Sequence, residues 1–176
     1  MLARARSAAP GARFRHASFV DEPLPTCVGV LAVGEVLSYT TRGLEPVFRR
    51  VYRALRPGGL FVLDMAGPGR GPARTWAEGP DWAVLVDAEE DPRRRLLTRR
   101  MTTFRRIGGG WRRGRETHQQ RLHPSAEIAK HLRRVGFRVR IRRGYRGERF
   151  AAGHYVAVAG KPSSARARPR RGTGAD

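Results

Sequence analysis

The 176-residue sequence is poor in several residue types, and each scarcity excludes something. It has one cysteine, Cys27, so no internal disulfide and no cysteine-cluster metal site can form. A reducing cytoplasm is the expected compartment. No apolar run approaches the roughly 20 residues that span a bilayer, and Arg4 and Arg6 are followed by no apolar stretch of the kind a secretory signal requires. His, Cys and Asp nowhere recur at metal-ligand spacing, and neither a nucleophile elbow nor a phosphate-binding loop is present. Acids are few: 15 Asp and Glu stand against 36 basic residues, for a formal charge of +21. Lysine is nearly absent, since only Lys130 and Lys161 occur. Such an arginine skew fits a GC-rich coding bias, and the arginines are spread over many segments. Nucleic acid is therefore a possible partner but not the favoured one.

What is present is organised around Leu44–Asp64. Leu44, Val47, Phe48, Val51 and Leu55 recur at three- and four-residue steps, with Arg49, Arg50, Arg53 and Arg56 on the other side, which predicts an amphipathic helix. Pro57 ends it, and Gly58-Gly59 permit a sharp reversal. Leu60–Leu63 is wholly apolar, as a strand buried on both faces would be, and Asp64 closes it. A parallel α/β unit needs a preceding strand, and Val28–Val33 (V-G-V-L-A-V) supplies it. A right-handed crossover would set the two strands parallel and adjacent.

Around this unit, Met1–Ala9 reads as helix and Phe14–Phe19 as a short strand. Gly67–Pro80, with its four glycines and three prolines, reads as loop. Trp82–Val86, Arg95–Ile107 and Trp111–Leu122 read as extended, with Gly108–Gly110 as a hairpin turn between the last two. Pro124–Val135 is a second amphipathic helix stopped by Gly136. Phe137–Ile141 and Tyr155–Ala159 complete the strands. Residues 163–176, rich in Arg, Pro, Ser and Gly, read as a disordered tail.

These residues carry a resemblance. L-R-P-G-G-L-F-V-L-D (Leu55–Asp64), with its preceding helix, resembles the fourth-helix and fifth-strand signature of class I S-adenosylmethionine-dependent methyltransferases. Ala17–Pro25 is similar to that family's loop beside adenine, and V-G-V-L-A-V-G-E-V-L-S-Y (Val28–Tyr39) to its fourth strand and the following loop. Gly136–Ile141 and His154–Pro162 resemble its terminal antiparallel pair. The resemblance implies a partial Rossmann-like α/β sheet over residues 1–162, with an inserted antiparallel β segment at about 68–122. It implies S-adenosylmethionine as cofactor, held by Ser18, Phe19, Val33, Gly34 and Glu35, and a small-molecule methyl acceptor near Tyr39 and His118. Glu35 could equally be an exposed helix-start carboxylate, and His118 a surface residue. Trp76, Trp82 and Trp111 could line a pocket or pack the insertion.

The family's glycine-rich loop and the acid that holds the ribose hydroxyls have no counterpart in this sequence. The expectation is of an N-terminally truncated domain that is inactive or binds cofactor weakly. The alternative is a basic nucleic-acid-binding remnant without catalysis.

Overall fold

The computed structural model describes residues 2–40 and 42–163; all but the first residue of the expected tail lies outside them. Three helices, α1 (Leu2–Ala8), α2 (Glu45–Ala54) and α3 (Ser125–Val135), accompany eight strands. The strands are β1 (Cys27–Ala32), β2 (Leu55–Ala66), β3 (Ala73–Gly79), β4 (Trp82–Asp91), β5 (Leu96–Ile107), β6 (Gly110–Arg121), β7 (Arg138–Arg142) and β8 (His154–Gly160). They form two sheets, ordered β1-β2-β8-β7 and β3-β4-β5-β6.

In the first sheet β1 and β2 run parallel, as the crossover through α2 requires, and β8 is antiparallel to both β2 and β7. The apolar stripe of α2 (Val47, Phe48, Val51) and that of α3 (Ile128, Leu132) pack on one face of this sheet, against Phe61, Leu63, Met65, Tyr155 and Ala157. Each fully buried aliphatic or aromatic side chain there contributes about 1.5–3 kcal/mol. Pro46 in the first turn of α2 and left-handed Gly136 (φ 114°) after α3 delimit the helices. Lys161 Nζ donates to the Tyr52 and Leu55 carbonyls at the end of α2 (2.8 and 2.6 Å), giving its last turn a cationic cap. The opposite face is open along β1 and the start of β2, and covered at Asp64, Ala66 and Val156. Leu31 is 73% and Leu60 50% exposed there, and β1 pairs with β2 alone. No helix among the described residues is long and apolar enough to cross a membrane.

Three local expectations are corrected. Phe14–Phe19 is not a strand, because no neighbouring strand offers it hydrogen bonds. Gly67–Pro80 is not all loop: Ala73–Gly79 contains neither of the bracketing prolines, Pro72 and Pro80, and pairs with β4 as an edge strand. Pro57–Gly59 does not precede the second strand but lies within it. Leu55 already pairs with Cys27, the next residues bulge out, and Leu60 resumes opposite Gly29.

Candidate functional site

The chain reverses where β1 ends, and the reversal is strained. Gly34 (φ 81°) and Glu35 (φ 56°) are both left-handed, which glycine adopts freely and glutamate does not. Asp64, at the end of the adjacent β2, holds the conformation. Its carboxylate accepts the Gly34 and Glu35 backbone N–H groups (3.0 and 2.6 Å) and the Tyr145 hydroxyl (2.9 Å). Burial, and then this bond to Asp64, push the Tyr145 phenol up to about 12, so it remains a donor. Asp64 therefore acts through backbone geometry at the carboxyl end of the parallel pair, where open α/β sheets bind ligands.

The forced turn aims the Glu35 side chain at the second sheet. It is 5% exposed, which excludes the exposed-carboxylate reading. Oε2 accepts a hydrogen bond from the wholly buried Gln120 Nε2 (2.8 Å) and lies 3.8 Å from Arg99 Nη1. Oε1 pairs with Arg70. His154 Nε2 is 3.5 Å from Oε1 but lacks hydrogen-bond geometry, and its ring stacks on Phe150 at 4.0 Å. Burial pushes the His154 imidazole below its ordinary value, against the opposing pull of Glu35, so it is neutral near pH 7. The Arg70 loop is itself tethered: Glu90 on β4 accepts the backbone N–H groups of Gly69, Arg70 and Gly71 (3.0, 2.7 and 3.0 Å). Burial works to raise the Glu90 pKa, but the three donors and Arg70 outweigh it and hold the carboxyl below its usual range. A buried acid matched by two arginines and an amide thus docks the second sheet over the end of the first.

Beside this joint lies an open cleft. Alternation along β6 sets Glu116, His118 and Gln120 on one face, from solvent inward. His118 Nε2 is 3.0 Å from Glu116 Oε2, and its ring meets Tyr39 edge-on at 6.0 Å. Tyr39 ends the short 3₁₀ turn Val36–Tyr39 and also lines a cavity of about 300 Å³ with Ser18, Phe19, Thr40 and Arg42. Ser18 Oγ accepts the Val20 N–H (3.2 Å), and Arg50 anchors the Phe19 carbonyl (3.3 Å). The structure thus brings Ser18, Phe19 and Tyr39 together, and Tyr39 with His118. Gly34 and Glu35 adjoin them through the chain, whereas Val33 stands exposed outside both groups. The larger cavity, about 880 Å³, lies elsewhere, on the open sheet face against Val62, Val156 and Val158. Among the described residues no cluster of His, Cys, Asp and Glu could hold a metal.

Sequence reasoning missed Arg70, Glu90, Arg99, Gln120 and Tyr145. The alternation of Glu116, His118 and Gln120 and the glycines flanking Arg70 were the available signals. Trp76 lines an open cavity of about 380 Å³ with Leu85 and Val86, and the Trp82 ring packs on Gly79, while Trp76, Trp82 and Trp111 remain 67%, 42% and 56% exposed on the second sheet.

No family model and no curated protein matches the sequence. Solved structures do match in fold. An S-adenosylmethionine-dependent methyltransferase from Clostridium acetobutylicum superposes with a TM-score of 0.75 at 14% identity, over 92% of this chain and 69% of that one. DesVI from Streptomyces venezuelae gives 0.74 at 20% identity, over 92% and 70%. CalS10, an amino pentose methyltransferase from Micromonospora echinaspora, gives 0.72 at 16% identity, over 91% and 69%. The CcbJ methyltransferase from Streptomyces caelestis is covered over only 62% of its length. The chain has the class I S-adenosylmethionine-dependent methyltransferase fold.

Proposed function

We propose that this chain forms the acceptor-side part of an S-adenosylmethionine-dependent methyltransferase acting on a small molecule. The observation that carries the reading is the cavity shared by Ser18, Phe19 and Tyr39, opening beside His118 at the carboxyl end of the parallel pair in a methyltransferase fold. Its size and mixed lining, an aromatic ring flanked by hydroxyl and backbone groups, suit one edge of a nucleoside. The residues fit the adenine and sulfonium side of the cofactor. The ribose acid and glycine-rich loop have no counterpart among the 176 residues.

When bound, S-adenosylmethionine supplies an electrophilic methyl group on a sulfonium. The chain's own residues position and dehydrate. Phe19 and Ser18 flank the base, and the strained Gly34–Glu35 backbone leaves room for close approach. Tyr39 forms the wall between cofactor and acceptor. His118, with Glu116 at its Nε2, is placed to hold the proton that the acceptor loses. An amino pentose methyltransferase and a sugar N-methyltransferase (KedS8) are among the similar structures, which supports a small polar acceptor. Without a glycine-rich loop and a ribose acid, this chain alone should bind S-adenosylmethionine with a Kd of about 1 mM or weaker, and should not turn over.

Saturation-transfer NMR at millimolar S-adenosylmethionine tests this. Transfer to the adenine protons, competed by S-adenosylhomocysteine and lost in Phe19→Ala, is expected. Absence of transfer would remove the cofactor site, and micromolar affinity would overturn the weak-binding reading.

A further inference from the structure

The segment Phe104–Arg115 reads F-R-R-I-G-G-G-W-R-R-G-R, five arginines and no acid in twelve residues. It is the tip of the β5–β6 hairpin, so the ladder register decides where each side chain stands. Phe104 faces Arg113, and Arg106 faces Trp111. All four share the outer face of the second sheet, opposite to the face that carries His118 and Gln120. The result is a square of alternating aromatic and guanidinium groups, with the two aromatics diagonal neighbours at about 7–8 Å. Trp111 is 56% exposed.

On the inner face Arg105 stands directly opposite Arg112. Like charges in that position destabilise a sheet. Elsewhere on the sheet Arg74 pairs with Asp87, and Arg100 with Glu89. Among the described residues no ion pair engages the hairpin-tip arginines. Folding thus sets two like charges of this arginine-dense stretch face to face and leaves them without a counter-ion among the described residues. It also interleaves that charge with the exposed ring of Trp111 and the half-buried ring of Phe104.

We propose that this hairpin tip binds single-stranded nucleic acid, with Phe104 and Trp111 stacking bases, Arg106 and Arg113 beside them holding phosphates, and Arg105 and Arg112 on the reverse face adding to the positive field. Stacking on aromatic faces beside a positive track is how single strands are held without sequence preference. A duplex offers no unstacked bases to the two rings. An acidic protein would use the arginines but leave the rings idle. A second copy would bring arginine against arginine at this face, within a chain of net charge +21. The inference is independent of methyl transfer.

The test is fluorescence anisotropy of the full chain with a labelled 20-nucleotide oligo-uridine, across a salt series. Phe104→Ala and Trp111→Ala should each weaken binding about tenfold with an unchanged salt slope, and Phe104→Tyr should restore it. Arg106→Thr with Arg113→Thr should reduce the slope of log K against log salt by about 1.4. Both side chains are exposed, so this double variant should melt close to the parent, which separates lost binding from lost folding. Wild-type affinity in the aromatic and arginine variants would overturn the proposal. So would equal affinity for a duplex of the same length, displacement by polyglutamate with equal ease in parent and aromatic variants, or a dimer in sedimentation that Trp111→Ala disperses.

Discussion

Replacing Glu35 with glutamine would show whether the buried carboxylate joins the two sheets. The substitution keeps the side chain's shape, its left-handed backbone and an oxygen for Gln120, but removes the charge facing Arg70, Arg99 and His154 and turns an amide donor toward Arg70. Removing one partner of a buried ion pair costs about 3–5 kcal/mol. Here the side chains of Arg70 and Arg99 are 20% and 32% exposed, so both can recover part of their hydration. The expected loss is therefore below that range, about 2–3 kcal/mol. For a domain of this size each kcal/mol shifts the midpoint by about 2–4 °C, so Tm should fall by roughly 4–12 °C. Thermal unfolding followed by circular dichroism reads the shift, and a cycle with Arg70→Met isolates the pair. The double variant should lose less than the sum of the single losses. A Tm within one degree of the parent would refute the claim that this charge holds the second sheet in place.

Other residues make separate demands. Glu90→Gln should leave the global midpoint nearly unchanged but accelerate amide exchange at Gly69, Arg70 and Gly71, the three N–H groups that its carboxylate accepts; unaltered protection there would exclude the tether. Phe48→Ala, at a site with no solvent exposure between α2 and β2, should cost about 3–5 kcal/mol in urea unfolding. Burial holds His123 and His154 below the ordinary histidine value of 6.5. As pH falls through that value the unfolded imidazoles take up protons before the folded ones do. Stability should therefore be full above it and decline toward the lower folded values. The double variant His123→Asn, His154→Asn should flatten the urea midpoint between about pH 7.5 and 5.5, and an unchanged profile would contradict the assignment.

The parallel pair, both long helices and the terminal antiparallel strands were legible because their signals are local. A period of 3.6 in Val47–Val51 and an unbroken apolar run in Leu60–Leu63 each report burial directly. The strand expected at Phe14–Phe19 failed because alternation describes what a strand could bury, whereas existence depends on a pairing partner. The edge strand Ala73–Gly79 was hidden among glycines and prolines that delimit it without entering it. In the site, Ser18, Phe19 and Tyr39 could be nominated from the resemblance of Ala17–Pro25 and Val28–Tyr39 to loops of a known family. The Glu35 cluster could not, because it joins residues up to 85 positions apart through a backbone turn that only Asp64, at the end of another strand, makes tenable. The hairpin square was equally unreadable, since its pattern exists only across the ladder.

The central claim is that the carboxyl end of β1 presents one edge of a cofactor site. A ¹H–¹⁵N correlation titration of the chain with S-adenosylhomocysteine tests it residue by residue. The account predicts saturable, millimolar-range shifts at Phe19, Gly34, Glu35 and Tyr39, with the β5–β6 hairpin tip unmoved. Shifts confined to the hairpin tip, or none at saturating ligand, would contradict it.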